Sequence, residues 1–267
     1  MKIVKTTIDK VEKYRTAYLN SLPEFQELFV ELMISNADYF IFQSENDEIG
    51  YAIRSNDGVL IEFYVFDKYI PDSKAIFGQV LKDLSINEIY CKSFDSLLLG
   101  NCLLKTLPYS IIGLLYRDYL EPFIIKDTTI KMKRADHSSV NLLLVQDESI
   151  KCLFDTEQQL IDFIRNENVF EFYQNEELVG CGMVIRTHPE WDFCDLGVWV
   201  KPIKRGKSIG SQIILNLREY SIINKLKPSC GCAIENRASQ KIIEKSGFVS
   251  RYQMINFKPL SDINHVI

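Results

Sequence analysis

Asp195 to Ser211 is the stretch where residue type and spacing converge on one chemistry. Asp195-Leu196-Gly197-Val198-Trp199-Val200 predicts a strand. Lys201-Pro202-Ile203-Lys204-Arg205-Gly206-Lys207-Ser208 predicts a proline-kinked basic loop, and a helix follows from about Gly210. The leading N–H groups of a helix have no acceptor inside it, and the helix dipole adds partial positive charge there. Such a terminus attracts an anion. Small residues let a diphosphate approach the main chain, and Lys204, Arg205 and Lys207 add full charges. The stretch therefore reads as a phosphate cradle. It is neither a GxxxxGK[ST] loop nor a GxGxxG fingerprint, since both patterns are absent.

Two later groups extend the pattern. Asn236-Arg237-Ala238-Ser239 opens a further helix, and Glu244-Lys245-Ser246-Gly247-Phe248 closes it. With the lead-in Val200-Lys201-Pro202 and the loop Arg205-Gly206-Lys207-Ser208-Ile209-Gly210, these residues resemble the GNAT acetyltransferase superfamily over about residues 171 to 257. That family carries an Arg/Gln-x-x-Gly-x-Gly/Ala loop after its fourth strand, then an Asn that starts a later helix and a Gly-Phe that ends it. The resemblance implies acetyl-CoA as co-substrate. It implies that Trp199 and Val200 lie on a splayed strand that pairs with the pantetheine arm. It implies that Arg205, Gly206, Lys207, Ser208, Ile209, Gly210 and Ser211 hold the pyrophosphate, mainly through main-chain N–H groups. Asn236 is then expected near the thioester and Ser239 beside the pantetheine. Two positions depart from the family pattern. Ser208 replaces the first loop glycine. Ile243 stands where the family often has a tyrosine that protonates the departing thiolate, which leaves Tyr252, water or no acid at all.

Acetyl transfer to an amine needs the amine neutral before it attacks, and a nearby carboxylate can take its proton directly or through water. Asp195, on the strand before the loop, and Glu235, at the end of the following strand, are the candidate bases. Each also has a structural reading, as a solvated strand residue or as a helix-start carboxylate favoured by the dipole. His188 precedes Pro189 and reads as a surface histidine; His137 and His265 have no supporting context. The seven cysteines are odd in number and lack metal-ligand spacing, so they read as buried free thiols and no metal site is expected. Cys194 and Cys232 flank the expected cleft, but no neighbour in the sequence activates them as nucleophiles.

These residues sit in the second of two similar halves. From Val11 the first half reads helix, helix, three strands, helix, strand, helix, strand, with Pro23 opening the second helix, a turn at Glu45-Asn46-Asp47 and a hairpin turn at Asn56-Asp57-Gly58. The second half follows a similar order from Thr156 to Phe257. The fold class expected is α/β (α+β): two GNAT-like domains, each a mixed, mostly antiparallel sheet flanked by helices. The boundaries expected are 1–125 for a degenerate domain and 126–267 for the acetyl-CoA-binding one. The first half lacks the loop pattern, and Asp67 and Asp72 stand where phosphate would be held. It reads as a scaffold and a wall of the acceptor cleft.

The chain's 267 residues are 46% hydrophobic and 25% charged, which suits two globular cores. A net charge of -5 disfavours nucleic acid as a partner. No apolar run reaches the length that spans a membrane, and the N-terminus has no signal-peptide pattern, so no membrane partner and a cytoplasmic location are expected. The activity expected is transfer of acetyl from acetyl-CoA to a primary amine of a small molecule or peptide by direct attack. The alternatives are a non-catalytic CoA-binding or interaction protein and a transferase of a different acyl group.

Overall fold

The computed structural model describes residues 1–45 and 47–259, so Asn46 and His265 lie outside the described residues. In chain order the elements are β1 (Lys2–Thr6), α1 (Ile8–Ser21), α2 (Leu28–Ile34), β2 (Asp38–Ser44), β3 (Asp47–Arg54), β4 (Val59–Val65), α3 (Ser73–Asp83), β5 (Glu88–Lys92), α4 (Ser96–Leu104) and β6 (Tyr109–Tyr119). They continue as β7 (Ile130–Arg134), α5 (Ser139–Leu144), α6 (Glu157–Arg165), β8 (Val169–Gln174), β9 (Glu177–Arg186), β10 (Phe193–Val200), α7 (Ile209–Ile223), β11 (Lys227–Ala233), α8 (Arg237–Lys245) and β12 (Phe248–Phe257). The same order of ten elements occurs twice: strand, two helices, three strands, helix, strand, helix, strand. The chain divides into two compact units, Met1–Leu114 with the chain from Tyr252 onward, and Leu115–Arg251. Strands β6 and β12 therefore each contribute residues to both units.

In the first unit, β1 to β4 run antiparallel in sequence order, and β5 pairs with the end of β12, Lys92 opposite Met254. Phe42, Phe63, Phe77, Val80 and Leu98 form its apolar core with Ile255 and Phe257 from β12. Pro23 does not open α2. Residues 22–27 are non-helical, and α2 starts at Leu28. The reason is tertiary: Gln26 turns inward and its amide Nε2 donates to Glu62 Oε1 at 2.8 Å. Strands β4 and β5 pair in parallel only at Val59↔Glu88 and Leu60↔Ile89. Beyond that point Glu62 on β4 and Lys92 on β5 are both completely buried, and Gln26 bridges them by also accepting from Lys92 Nζ at 2.9 Å. Arg15 and Tyr51 donate to Glu62 as well, Tyr18 donates to Asp95, and Asp95 caps α4 through the Leu98 N–H. The gap between these strands is filled by the unit's own charged and polar side chains. Burial pushes the Asp95 carboxyl up while Lys92 pulls it down.

In the second unit the strand order is β11-β10-β9-β8-β7, antiparallel except for β10 with β11. Glycines at 180 and 182 let α7 lie close on one face, since a Cβ there would meet Ile213 and Leu217. Gly197 faces the opposite side, toward Leu153. β1, β7, α5 and a 3-10 turn over Glu148–Cys152 are among the elements that the periodicity reading misses. All are five or six residues long, too short for a repeating pattern to emerge.

Candidate active site

β10 and β11 pair in parallel over only three positions, Phe193↔Lys227, Cys194↔Pro228 and Asp195↔Ser229. β10 stays paired with β9 as far as Val200↔Gly180. The two parallel strands thus part after Asp195 and leave a wedge-shaped gap. α7 begins at the mouth of this gap. Its first turn, Ile209 to Ser211, has no acceptor within the helix, and the first amide that does is Gln212, which donates to the Ser208 carbonyl at 3.1 Å. A cleft of about 510 Å³ opens here. Its floor is Val198 to Val200, one wall is the start of α7, and the other is the α8 face made by Ala238, Lys241, Ile242 and Lys245.

Of the residues expected to hold a coenzyme, Trp199, Val200, Arg205, Gly206, Ser208, Ile209, Gly210, Ser211, Asn236 and Ser239 all line this one cleft. Lys207 does not line it. Neither candidate base does: Glu235 is exposed in the turn before α8, and Asp195 is half-buried where the wedge closes. His188 accepts from the Glu190 N–H within its own loop, and Tyr252 packs edge-on against Phe94 in the first unit. Ile243 is buried. Among the described residues no group of three metal-ligating side chains occurs, and no helix is long and apolar enough to cross a membrane.

The loop's charges are arranged differently from the plain sum of its basic residues. Lys204 and Lys201 both pair with Glu177, at 2.6 and 3.2 Å, and hold its carboxyl below the usual range, Lys204 more strongly. Arg205 turns back onto the chain, donating from Nε to the Val200 carbonyl at 3.0 Å and from Nη2 to Ser149 Oγ at 2.5 Å. Ser149 Oγ also accepts from Trp199 Nε1 at 2.9 Å. Ser149 and Cys152, on the short 3-10 turn, line the cleft without any signal in the sequence. Lys241, Ile242 and Lys245 were findable, because with Ala238 they fall at i, i+3, i+4 and i+7 on one helical face.

Gly206 and Ser208 both have left-handed backbone conformations, φ +77 and φ 60. This explains why a glycine pattern suits the loop, and why serine is a departure with a cost: left-handed conformation disfavours a Cβ by roughly 1–2 kcal/mol. The Ser208 hydroxyl makes no capping bond to α7. Ser208→Gly is expected to leave stability within about 0.5 kcal/mol, since relief of strain is offset by a more flexible unfolded chain. Ser208→Val is expected to lose roughly 1–3 kcal/mol. Urea denaturation of the two variants checks this, and equal stabilities speak against the left-handed turn. Asn236 caps α8 with Oδ1, which accepts from the Ser239 N–H at 3.0 Å.

Every thiol of the second unit is pushed up by burial: Cys152, Cys181, Cys194 (to about 11), Cys230 and Cys232. Arg205 pulls Cys152 the other way, less strongly. The reading of all seven as buried needs correction, because Cys152 is exposed and Cys232 half-exposed; all are free.

Residues 7–119 match the model of an acetyltransferase (GNAT) domain, and residues 138–248 match that of the acetyltransferase (GNAT) family. The chain therefore belongs to the GNAT acetyltransferases and carries two such domains in tandem. Among solved structures, a GNAT-family acetyltransferase from Colwellia psychrerythraea is 18% identical, with a TM-score of 0.86 over 97% of this chain and 99% of that one. A tandem GNAT protein from the clavulanic acid biosynthesis pathway is 11% identical, with a TM-score of 0.63 over 98% and 99%. A GNAT protein from Sphaerobacter thermophilus is 11% identical, with a TM-score of 0.57 over 94% and 87%. At these identities the likeness is one of fold. No curated protein matches the chain.

Proposed function

We propose that the second unit binds acetyl-CoA and transfers its acetyl group directly to a primary amine of a small molecule or peptide. The observation that carries this reading is the coincidence of two features in one cleft. A parallel strand pair parts after Asp195, and the unpaired first-turn amides of α7 open into the gap. The gap leaves β10 main chain free on one edge to pair with an amide-bearing pantetheine arm, with Trp199 and Val200 as its floor. The turn from Arg205 to Ser211 then receives the diphosphate, Lys207 standing outside the lining. Asn236 and Ser239 face the arm from the start of α8.

Direct attack is favoured over an acyl-cysteine because Cys194 is buried with its thiol pushed up to about 11, and burial pushes up the Cys232 thiol as well, which weakens both as nucleophiles. With the coenzyme on the side of α7 and α8, the amine enters from the other face of β10. Asp195 alternates there with Gly197 and Trp199. Asp195 is the leading base, acting through water from the closed end of the wedge; Glu235, exposed beyond β11, is the second candidate. The amine nitrogen bonds to the acetyl carbon, the C–S bond breaks, and the thiolate leaves without needing a strong acid.

Thiol release from acetyl-CoA across a panel of amines tests the activity. Asp195→Asn is expected to lower turnover by roughly 10²-fold or more at neutral pH with CoA affinity unchanged. Full turnover in that variant transfers the role to Glu235, tested as Glu235→Gln. CoA binding with no thiol release from any acyl-CoA would instead identify a non-catalytic binding protein, and release only from longer acyl-CoAs would identify a different acyl donor.

A further inference from the structure

Ser149 stands where two parts of the cleft converge. Its Oγ accepts from Trp199 Nε1 at 2.9 Å and from Arg205 Nη2 at 2.5 Å, which fills both lone pairs of the hydroxyl oxygen. The 3-10 turn that carries it is fixed on either side of this point. Asp147 Oδ1 accepts from the Ser149 N–H at 2.9 Å. Leu153 lies against β10 two positions before Trp199, so close that a Cβ on Gly197 would stand 2.9 Å from its Cδ2. Ser149 is therefore an acceptor with a set position, and it holds the guanidinium of an otherwise exposed loop residue.

The other bond of that guanidinium bears on the edge of β10. The Lys201 N–H donates to the Val179 carbonyl of β9 at 3.0 Å. Alternate residues of a strand direct their main-chain groups to the same edge. Asp195, Gly197 and Trp199 thus bond toward β9, while Val198 and Val200 present N–H and carbonyl to the edge that β11 leaves after Asp195. Arg205 Nε donates to the Val200 carbonyl at 3.0 Å, so the last outward carbonyl of β10 is already occupied. An arm that pairs with this edge finds the Val198 N–H and carbonyl and the Val200 N–H. Equivalent groups on one edge recur every two residues, about 6.6 Å apart. An arm that used the Val200 carbonyl in place of the Val198 carbonyl would carry its thioester that far from the closed end of the wedge.

We infer that Ser149 is a positioning residue for acyl transfer: by holding Arg205 on the Val200 carbonyl, it admits one register of the acyl arm on β10 and excludes the next. The inference rests on the coenzyme reading above and adds to it how the thioester is placed. The Arg205 side chain is a strut in this arrangement, and its main chain remains part of the diphosphate turn.

Thiol release from acetyl-CoA with the most active amine of the panel, together with calorimetric titration of CoA, tests this on the full chain. Ser149→Ala is expected to lower kcat by about fivefold or more and Arg205→Met by about tenfold, each with the Kd for CoA within about twofold of the parent. Ser149→Thr keeps the hydroxyl acceptor and is expected to restore most of what Ser149→Ala loses. The double variant Ser149→Ala/Arg205→Met is expected to be no slower than Arg205→Met alone, since both changes break one clamp. Unchanged kcat in Ser149→Ala, additive losses in the double variant, or a loss that falls on CoA affinity instead of kcat overturns the positioning role while leaving the coenzyme cleft standing. Failure of the parent chain to bind CoA overturns the coenzyme reading itself.

Discussion

Gly210→Asp is expected to lower CoA affinity by about 100-fold or more, roughly 2.7 kcal/mol. Two effects add. A Cβ on residue 210 would stand 2.7 Å from Ile242 Cδ1 and 3.1 Å from its Cγ1, at the close contact of α7 with α8. The sequence alone places a side chain here against the diphosphate; the structure points it instead at the opposite wall, so the wall must move. Overpacking of this kind costs about 1–3 kcal/mol in stability. The carboxylate then sits at the positive end of α7 and competes with the anion for the same amides. Gly210→Ala separates the two, since it keeps the contact with Ile242 and omits the charge; a loss of about tenfold is expected. Calorimetric affinities measured for both variants decide the matter, and unchanged affinity in Gly210→Asp removes this turn from the binding site.

Glu62→Leu is expected to destabilise the protein by about 3–5 kcal/mol, the cost of removing one member of a buried, hydrogen-bonded charge network. Glu62 is completely buried and accepts from Arg15, Gln26 and Tyr51 at 2.8–3.2 Å. Loss of its carboxylate removes one of two acidic partners of the buried Arg15 guanidinium, leaving Glu31 at 2.5 Å, and takes the acceptor from Gln26 and Tyr51. A second substitution, Arg15→Met together with Glu62→Leu, is expected to recover most of the loss, because an apolar pair of similar volume removes both desolvation penalties. Urea denaturation read by intrinsic fluorescence checks both. A single variant within about 1 kcal/mol of the parent contradicts a tightly buried network. The same network explains why the two units differ despite sharing an element order. Each has a parallel pair that parts early, but one gap is closed by Gln26, Glu62 and Lys92, and the other opens into a cleft.

The tandem fold was legible because long elements carry their own periodicity, and because the turn and cap residues agree with it. Asn236 and Gly247 each stand where a helix starts or stops. The coenzyme loop was legible because its spacing is local. What escaped the sequence depends on chain folding back from a distance. Ser149 joins Trp199 and Arg205 from 50 and 56 residues away. Glu177 neutralises Lys204 and Lys201, so counting basic residues in the loop overstates its free charge. Gln26 leaves a helical pattern because a buried carboxylate on β4 holds it. Gly210 kept its position in the pattern but changed its physical reason, from clearance for a ligand to clearance for Ile242.

Amide hydrogen exchange over Gly206 to Ser211, followed with and without saturating CoA, probes the grip of the turn most directly. Slowing by about tenfold or more at these amides on ligand addition is the expected result. CoA that binds, by calorimetry, yet leaves exchange at all six amides unchanged contradicts it.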